Sequence, residues 1–388
     1  MKIAALLAGS IGIILVGCSN DLPTVVEQSQ IIDATSATAA ADALAATRTA
    51  NDVQEKVAAT LRVTTQTTAP PDPTTESAST LSEDYYSKGT YYAEDGQYEN
   101  AIQEFDQAIQ LDPDHAEAYY NRGITYSYLG QDQTAINDYT MAIQLDPDHS
   151  KAYNNRGISY SNLGQYATAI NDYTKAIQLD PNHANAYSNR GFSYSDLGQY
   201  QTAINDYTKA IQLNPYHADA YYNRGISYSN LGQDQTAIND YTKTIQLNPD
   251  DAVAYSNRGV SYSNLGQDLT AINDYTKAIQ LDPDDAVAYS NRGASYSDLG
   301  QYQTAINDYT KAIQLNPDDA VAYSNRGITY STLGQDLTAI NDYTKAIQLN
   351  PYYADAYYWR GIAYRNLGQY QTANADDAMA CSLDSYYC

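Results

Sequence analysis

The chain has 388 residues and a pI near 4.2, with 46 acidic against 21 basic side chains and a formal net charge of −25. An acidic surface of this kind excludes a nucleic-acid binder, which needs basic patches to neutralise phosphates. It also excludes broad adsorption to anionic lipid, and leaves plain solubility or attraction to basic partners.

Met1 and Lys2 precede an apolar run at 3–16, followed by Gly17 and Cys18. A basic start, a short apolar core and a small residue before a cleavage point read as an export signal. The run is shorter than the about 20 residues of an ordinary membrane span. Its end, Leu15-Val16-Gly17-Cys18, resembles the lipobox of bacterial lipoproteins. That resemblance implies a signal peptide at 1–17, lipid on Cys18 and an anchor in the cell envelope. Ser19 after the cysteine favours the periplasmic face of the outer membrane.

Residues 18–81 are rich in Ala, Thr, Ser, Gln and Pro and poor in aromatics. Segment 34–61 has enough alanine for a weak helix, but its apolar stripe is thin. Segment 64–80 reads as an extended linker. We expect a mostly disordered tether between the membrane and the remainder of the chain.

From Ser82 onward the chain repeats one 34-residue unit. Copies begin at residues 82, 116, 150, 184, 218, 252, 286, 320 and 354, and the ninth ends at 387. In copy 286–319, Tyr289, Gly293 and Tyr296 mark one helical face, and Ala305, Tyr309, Ala312 and Ile313 another. This is helical spacing rather than strand alternation. Gly300 between the runs suits a left-handed helix terminus. Pro317 cannot continue the second helix, and Asp318 and Asp319 offer side-chain oxygens to the next one. In the second copy this predicts helices near 116–129 and 133–146. The last copy decays, with Asn374, Asp377 and Ser385 replacing Ile, Tyr and Pro, as suits an end that faces water.

Tyr119, Gly123, Tyr126, Ala135, Tyr139, Ala142 and Pro147 fall on the pattern of the tetratricopeptide repeat, which the chain closely resembles. The resemblance implies an all-α, right-handed solenoid of nine helix-turn-helix copies, with the ninth as a cap. It also implies a concave groove, formed by the first helices, that binds proteins or peptides. Mapped onto this sequence, one groove column includes Tyr120, Tyr222, Ser256, Ser290, Ser324 and Tyr358. The next runs Ile124, Ile158, Phe192, Ile226, Val260, Ala294 and Ile328, and a leading column turns apolar at Val253, Val287 and Val321. Two departures stand out. The leucine slot of the pattern holds Lys88 or an arginine, and the tyrosine that begins several second helices becomes Asp132, Asp234, Asp268 or Asp336. Those aspartates favour a helix N-terminus.

The arginine slot recurs sixteen residues before an aspartate, as in Arg122 and Asp138, Arg156 and Asp172, and Arg292 and Asp308. A planar guanidinium can meet a carboxylate with two parallel hydrogen bonds, so these are expected as structural ion pairs; the alternative is two independently solvated columns. His115, His149, His183 and His217 share one turn slot with Asp251, Asp285 and Asp319, so they read as turn residues and not metal ligands. Cys381 and Cys388 would lie about 10 Å apart on an unbroken helix, beyond disulfide reach. A turn after Ser382 permits a bridge, and both outcomes stay open. No phosphate-binding or dinucleotide glycine pattern and no nucleophile elbow is present, so neither an enzyme nor a cofactor is expected. The expected role is a membrane-tethered adaptor for envelope proteins, including ones with basic segments. Alternatives are a passive spacer or an assembly factor of an envelope machine.

Overall fold

The computed structural model describes residues 78–388. The export signal, Cys18 and nearly all of the expected tether lie outside the described residues. The helices fall into two compact units, one ending at Gln199 and one spanning Tyr200–Cys388.

The first unit contains α1 (Ala78–Glu94), α2 (Tyr98–Leu111), α3 (Ala116–Tyr128), α4 (Asp132–Leu145), α5 (Ser150–Asn162), α6 (Tyr166–Leu179) and α7 (Ala184–Asp196). The second contains α8 (Tyr200–Leu213), α9 (Ala218–Asn230), α10 (Asp234–Leu247), α11 (Ala252–Asn264), α12 (Asp268–Leu281), α13 (Ala286–Asp298) and α14 (Tyr302–Leu315). It continues through α15 (Ala320–Thr332), α16 (Asp336–Leu349), α17 (Ala354–Asn366) and α18 (Tyr370–Leu383) to a short 3₁₀ turn, Ser385–Tyr387. Odd-numbered helices are the first of each copy and even-numbered ones the second. Among the described residues there is no strand, and no helix is long and apolar enough to cross a membrane. Helix α1 starts four residues before the first repeat frame, so the ordered body begins inside the segment expected to be tether.

Local chemistry sets each boundary. Gly300 has φ 72°. Its N–H bonds the Ser297 carbonyl at 2.9 Å, and the Gln301 N–H bonds the Tyr296 carbonyl at 2.8 Å. These bonds satisfy carbonyls that the end of a helix leaves open. At the other turn, Asn316 breaks the helix in an extended conformation. Asp319 then accepts from the Val321 and Ala322 N–H groups at 2.9 and 3.0 Å. His149 caps its helix with Nδ1 toward the Ala152 N–H at 3.3 Å, and His115 and His183 do likewise toward Ala118 and Ala186.

Within each unit a first helix packs on the second helix of its own copy, and that second helix packs on the first helix of the next. First helices of consecutive copies also touch one another, which aligns them along one side of each unit. The core is a ladder of small and large residues. In copy six, Ala254, Ala271 and Ala278 are fully buried beside Tyr275. A Cβ built on Gly259 would lie 2.7 Å from the Tyr275 ring, so only glycine lets α11 and α12 approach this closely.

Gly259→Ala therefore should overpack that junction and lower unfolding stability by about 1–3 kcal/mol. Chemical denaturation of the variant checks this. A midpoint indistinguishable from wild type would mean that the Tyr275 ring moves aside without cost.

Candidate interaction surface

The arginine column explains how the copies are held. Arg258 on α11 places Nε 2.7 Å from Asp274 Oδ2 and Nη2 2.8 Å from Asp274 Oδ1, both on α12. Its Nη1 donates at 3.0 Å to Thr242 Oγ1 on α10, the second helix of the preceding copy. The guanidinium also lies 5.5 Å from the Tyr255 ring centre. The hydrogen bonds to Asp274, ahead of the opposing effect of burial, hold this guanidinium above its usual pKa. The same two-pronged pair joins Arg122 to Asp138, Arg156 to Asp172, Arg292 to Asp308 and Arg326 to Asp342. It also joins Arg224 to Asp240 and Arg360 to Asp376. The aspartates are buried. The column is therefore part of the framework and not a binding site.

The predicted groove columns separate by exposure. Val253, Val287 and Val321 are exposed, at 43%, 39% and 37%. Ile124, Ile158, Phe192, Ile226, Val260, Ala294 and Ile328 are half-buried. The hydroxyl column is different. Tyr120, Ser256 and Ser324 are buried, which corrects their placement in an open groove; Tyr222, Ser290 and Tyr358 are half-buried. At Tyr120 and Tyr222 of this column, the asparagine of the next copy reaches back over the slot. Asn155 Nδ2 donates to the Tyr120 hydroxyl at 3.1 Å, and Asn257 Nδ2 to the Tyr222 hydroxyl at 2.9 Å. His149 adds its ring, 4.5 Å from that of Tyr120. These asparagines recur in register, a signal the sequence contains, but their partners are 35 residues away.

A second junction contact was also missed. Asp132, expected only to favour its helix N-terminus, accepts from Asn162 Nδ2 of the next copy at 3.2 Å. Asn264 and Asp234 repeat this at 3.2 Å, and Asn366 and Asp336 at 3.1 Å. Where the slot holds Tyr166, its partner is Asp196. At Asp268 the facing residue is instead Asp298, another carboxylate. Asp298 lines a shallow depression with Ala294, Ser297, Tyr309, Asn325 and Ile328. Burial, and then the charge of Asp268, push the Asp298 carboxyl up to about 6.

At the chain end, Cys381 and Cys388 form a disulfide with their Cα atoms 4.7 Å apart. Helix α18 stops at Leu383, and the 3₁₀ turn brings the second sulfur back. Among the described residues no group of three His, Cys, Asp or Glu side chains is placed to hold a metal ion.

Family models described as tetratricopeptide repeat match residues 116–149, 150–183, 184–217, 218–251 and 286–319, and residues 240–273, 308–341 and 342–373. A TPR repeat model matches 85–130 and 264–300. No curated protein matches the chain. Among solved structures, MamA protein is 30% identical, with 44% of this chain and 93% of that chain covered and a TM-score of 0.41. The Cut9–Hcn1 hetero-tetramer of the APC/C gives 20% identity, 69% and 52% coverage and a TM-score of 0.51. The C-terminal part of a TPR repeat-containing protein from Cytophaga hutchinsonii gives 18%, 62% and 98%, and 0.51.

The Asp268–Asp298 junction has a pH signature. Because the folded-state pKa of Asp298 is raised to about 6 from 3.8, the folded state holds its proton more tightly than the unfolded state. Its contribution to stability should fall as pH rises from about 4 to about 6, and should stay at its lowest above that. Asp298→Asn would create the amide–carboxylate pair seen at Asp132, Asp234 and Asp336. Because Asp298 is exposed and its charge is screened by solvent, the gain at pH 7 should be small, about 0.2–1 kcal/mol, and this part of the stability–pH profile should flatten. Denaturation midpoints measured across pH 4–8 test it; parallel profiles for both proteins would refute the acid-pair account.

Proposed function

Because the chain belongs to the tetratricopeptide repeat family, we propose that it is a membrane-tethered scaffold that holds partner proteins against the first helices of copies six to eight. Tetratricopeptide repeats are in general protein-interaction scaffolds and not catalysts. The observation that carries the reading is the exposure, in register, of Val253, Val287 and Val321. Earlier copies place Glu117, Lys151, Asn185 and Asp219 in that slot. Apolar side chains left in water at a fixed spacing gain free energy when a partner covers them. The half-buried Val260, Ala294 and Ile328 lie two turns along the same helices and would extend the contact. The net charge of −25 favours a partner with basic segments and speeds its approach at low salt.

The tether belongs to the same reading. Lipid on Cys18 would hold the repeats at the cell envelope, at the periplasmic face of the outer membrane, with residues 18–77 spanning the gap. A passive spacer is the second reading. It is favoured by the near-identity of copies 252–285, 286–319 and 320–353, since repeated stacking alone maintains that identity.

Two experiments separate these readings. Changing Val253, Val287 and Val321 together to Lys should leave the fold intact, because all three are exposed. A scaffold should lose about tenfold or more of its partner recovery in a crosslinked pull-down from envelope extract, whereas a spacer should lose none. Cys18→Ser should move the protein from the membrane fraction to the soluble fraction, or leave the precursor uncleaved. Unchanged membrane fractionation and processing would rule out lipid anchoring at this residue.

A further inference from the structure

Tyr387 closes the ninth 34-residue frame and Cys388 follows it. Continuing the 34-residue frame puts Tyr387 in the slot of His115 and His149, just before a first helix. Its contacts follow the slot. The His115 ring is 4.9 Å from the Tyr86 ring, with Nε2 3.5 Å from Glu83. The His149 ring is 4.5 Å from Tyr120, with Nε2 3.4 Å from Glu117. The Tyr387 ring is 4.7 Å from Tyr358, and its hydroxyl donates to Asp355. In all three cases the partners are 29 and 32 residues upstream.

The two cysteines obey the same frame. Cys381 takes the slot of Ile279 and Ile313, which pack against the first helix of the following copy through Ala288 and Ala322. Cys388 takes the slot of Ala354, the first residue of a first helix. The bridge thus joins the slot that packs against a following copy to the slot that begins one.

We infer that the Cys381–Cys388 bridge is a redox latch that, while oxidised, holds the turn at residues 384–388 over α17, and that releases this cover when reduced. Apart from the bridge, these residues are held by one 3₁₀ turn and the contacts of Tyr387. Short 3₁₀ segments fray readily. Cys388 is exposed, so a dithiol reductant can reach it. The reductant's thiolate attacks one sulfur of the bridge, forms a mixed disulfide and expels the other sulfur, which takes up a proton. Its second thiol then closes the reductant's own disulfide and frees the first protein sulfur. Two electrons and two protons pass to the protein, leaving two thiols. Release uncovers Tyr358 and Asp355 at the end of the first-helix surface.

Hydrogen exchange of the full chain tests this, comparing the oxidised protein, the same protein after dithiothreitol, and Cys388→Ser. Reduction or Cys388→Ser should speed amide exchange at residues 356–362 by about tenfold, with α3 to α12 unchanged. Tyr387→Ala with the bridge intact should give the same rise at 356–362, with no further rise on reduction. Unchanged exchange after reduction overturns the latch. Full protection at 356–362 in Tyr387→Ala also overturns it, because the bridge would then act without the cover. A uniform rise across the second unit overturns it as well, since the bridge would then brace the unit rather than cover its end.

Discussion

The guanidinium fork at the seventh position of copies two to nine is the contact on which the stack depends. The family pattern has leucine there, and this chain has arginine in eight of its nine copies. Leucine would bury area and leave orientation free. Arginine instead fixes three helices at once: one edge of the fork takes the aspartate of its own second helix, and the remaining Nη1 takes Thr140, Thr208 or Thr310 of the preceding second helix. The threonine is itself pre-set, since Thr140 Oγ1 donates to the Ile136 carbonyl at 2.7 Å and leaves a lone pair for the incoming N–H. A lysine could not do this, because a point charge on a flexible stem has no second edge. The arrangement is also hard to dismantle piecemeal. Loss of the arginine leaves a buried carboxylate without its partner, a state that costs about 3–5 kcal/mol in comparable sites.

The fork works only because the neighbouring slots are small. Glycine follows the arginine directly, and its missing Cβ lets the tyrosine of the second helix slide under the first. That approach brings the carboxylate, one residue before the tyrosine, within reach of the arginine. Steric fit and charge pairing are thus two consequences of one close helix contact. They recur together where the arginine, the glycine and the aspartate–tyrosine pair keep their fixed spacing, as in copies two, three and five to eight.

Much of this was legible in the sequence, and the boundary of what was legible has a physical origin. Period, helix positions and caps are local properties: Gly300 stops a helix and Asp319 starts one whatever surrounds them. The arginine–aspartate spacing was readable because both partners lie in one copy. Errors began where a side chain's environment is set by the next copy. Helical periodicity placed Ser256 and Ser324 on the first-helix face, and they are on it. It could not show that the next copy and the capping turn before it pack over this slot, as Tyr353 of that turn does at Ser324. Val253, one turn nearer the helix start, escapes that cover and remains exposed. Asp132 was misread for the same reason, as its partner Asn162 is 30 residues away.

Junctions that share one geometry therefore differ in chemistry. Asn162 with Asp132 is a neutral donor against a carboxylate, Tyr166 with Asp196 a hydroxyl against one, and Tyr98 with Tyr128 a stacked pair 5.3 Å apart. Asp268 with Asp298 sets two acids together. In a linear array, stability is close to a sum of copy terms and nearest-neighbour terms, so a poor junction is felt locally and is not averaged away. At neutral pH the acid pair is expected to close the joint between copies six and seven less favourably than an asparagine does. Val253, Val287 and Val321 lie on the helices of this joint and of the copy after it. A partner laid across α11 and α13 would cover the valines and bridge the acid pair's junction, so apolar burial and local stiffening would reinforce each other in the bound state.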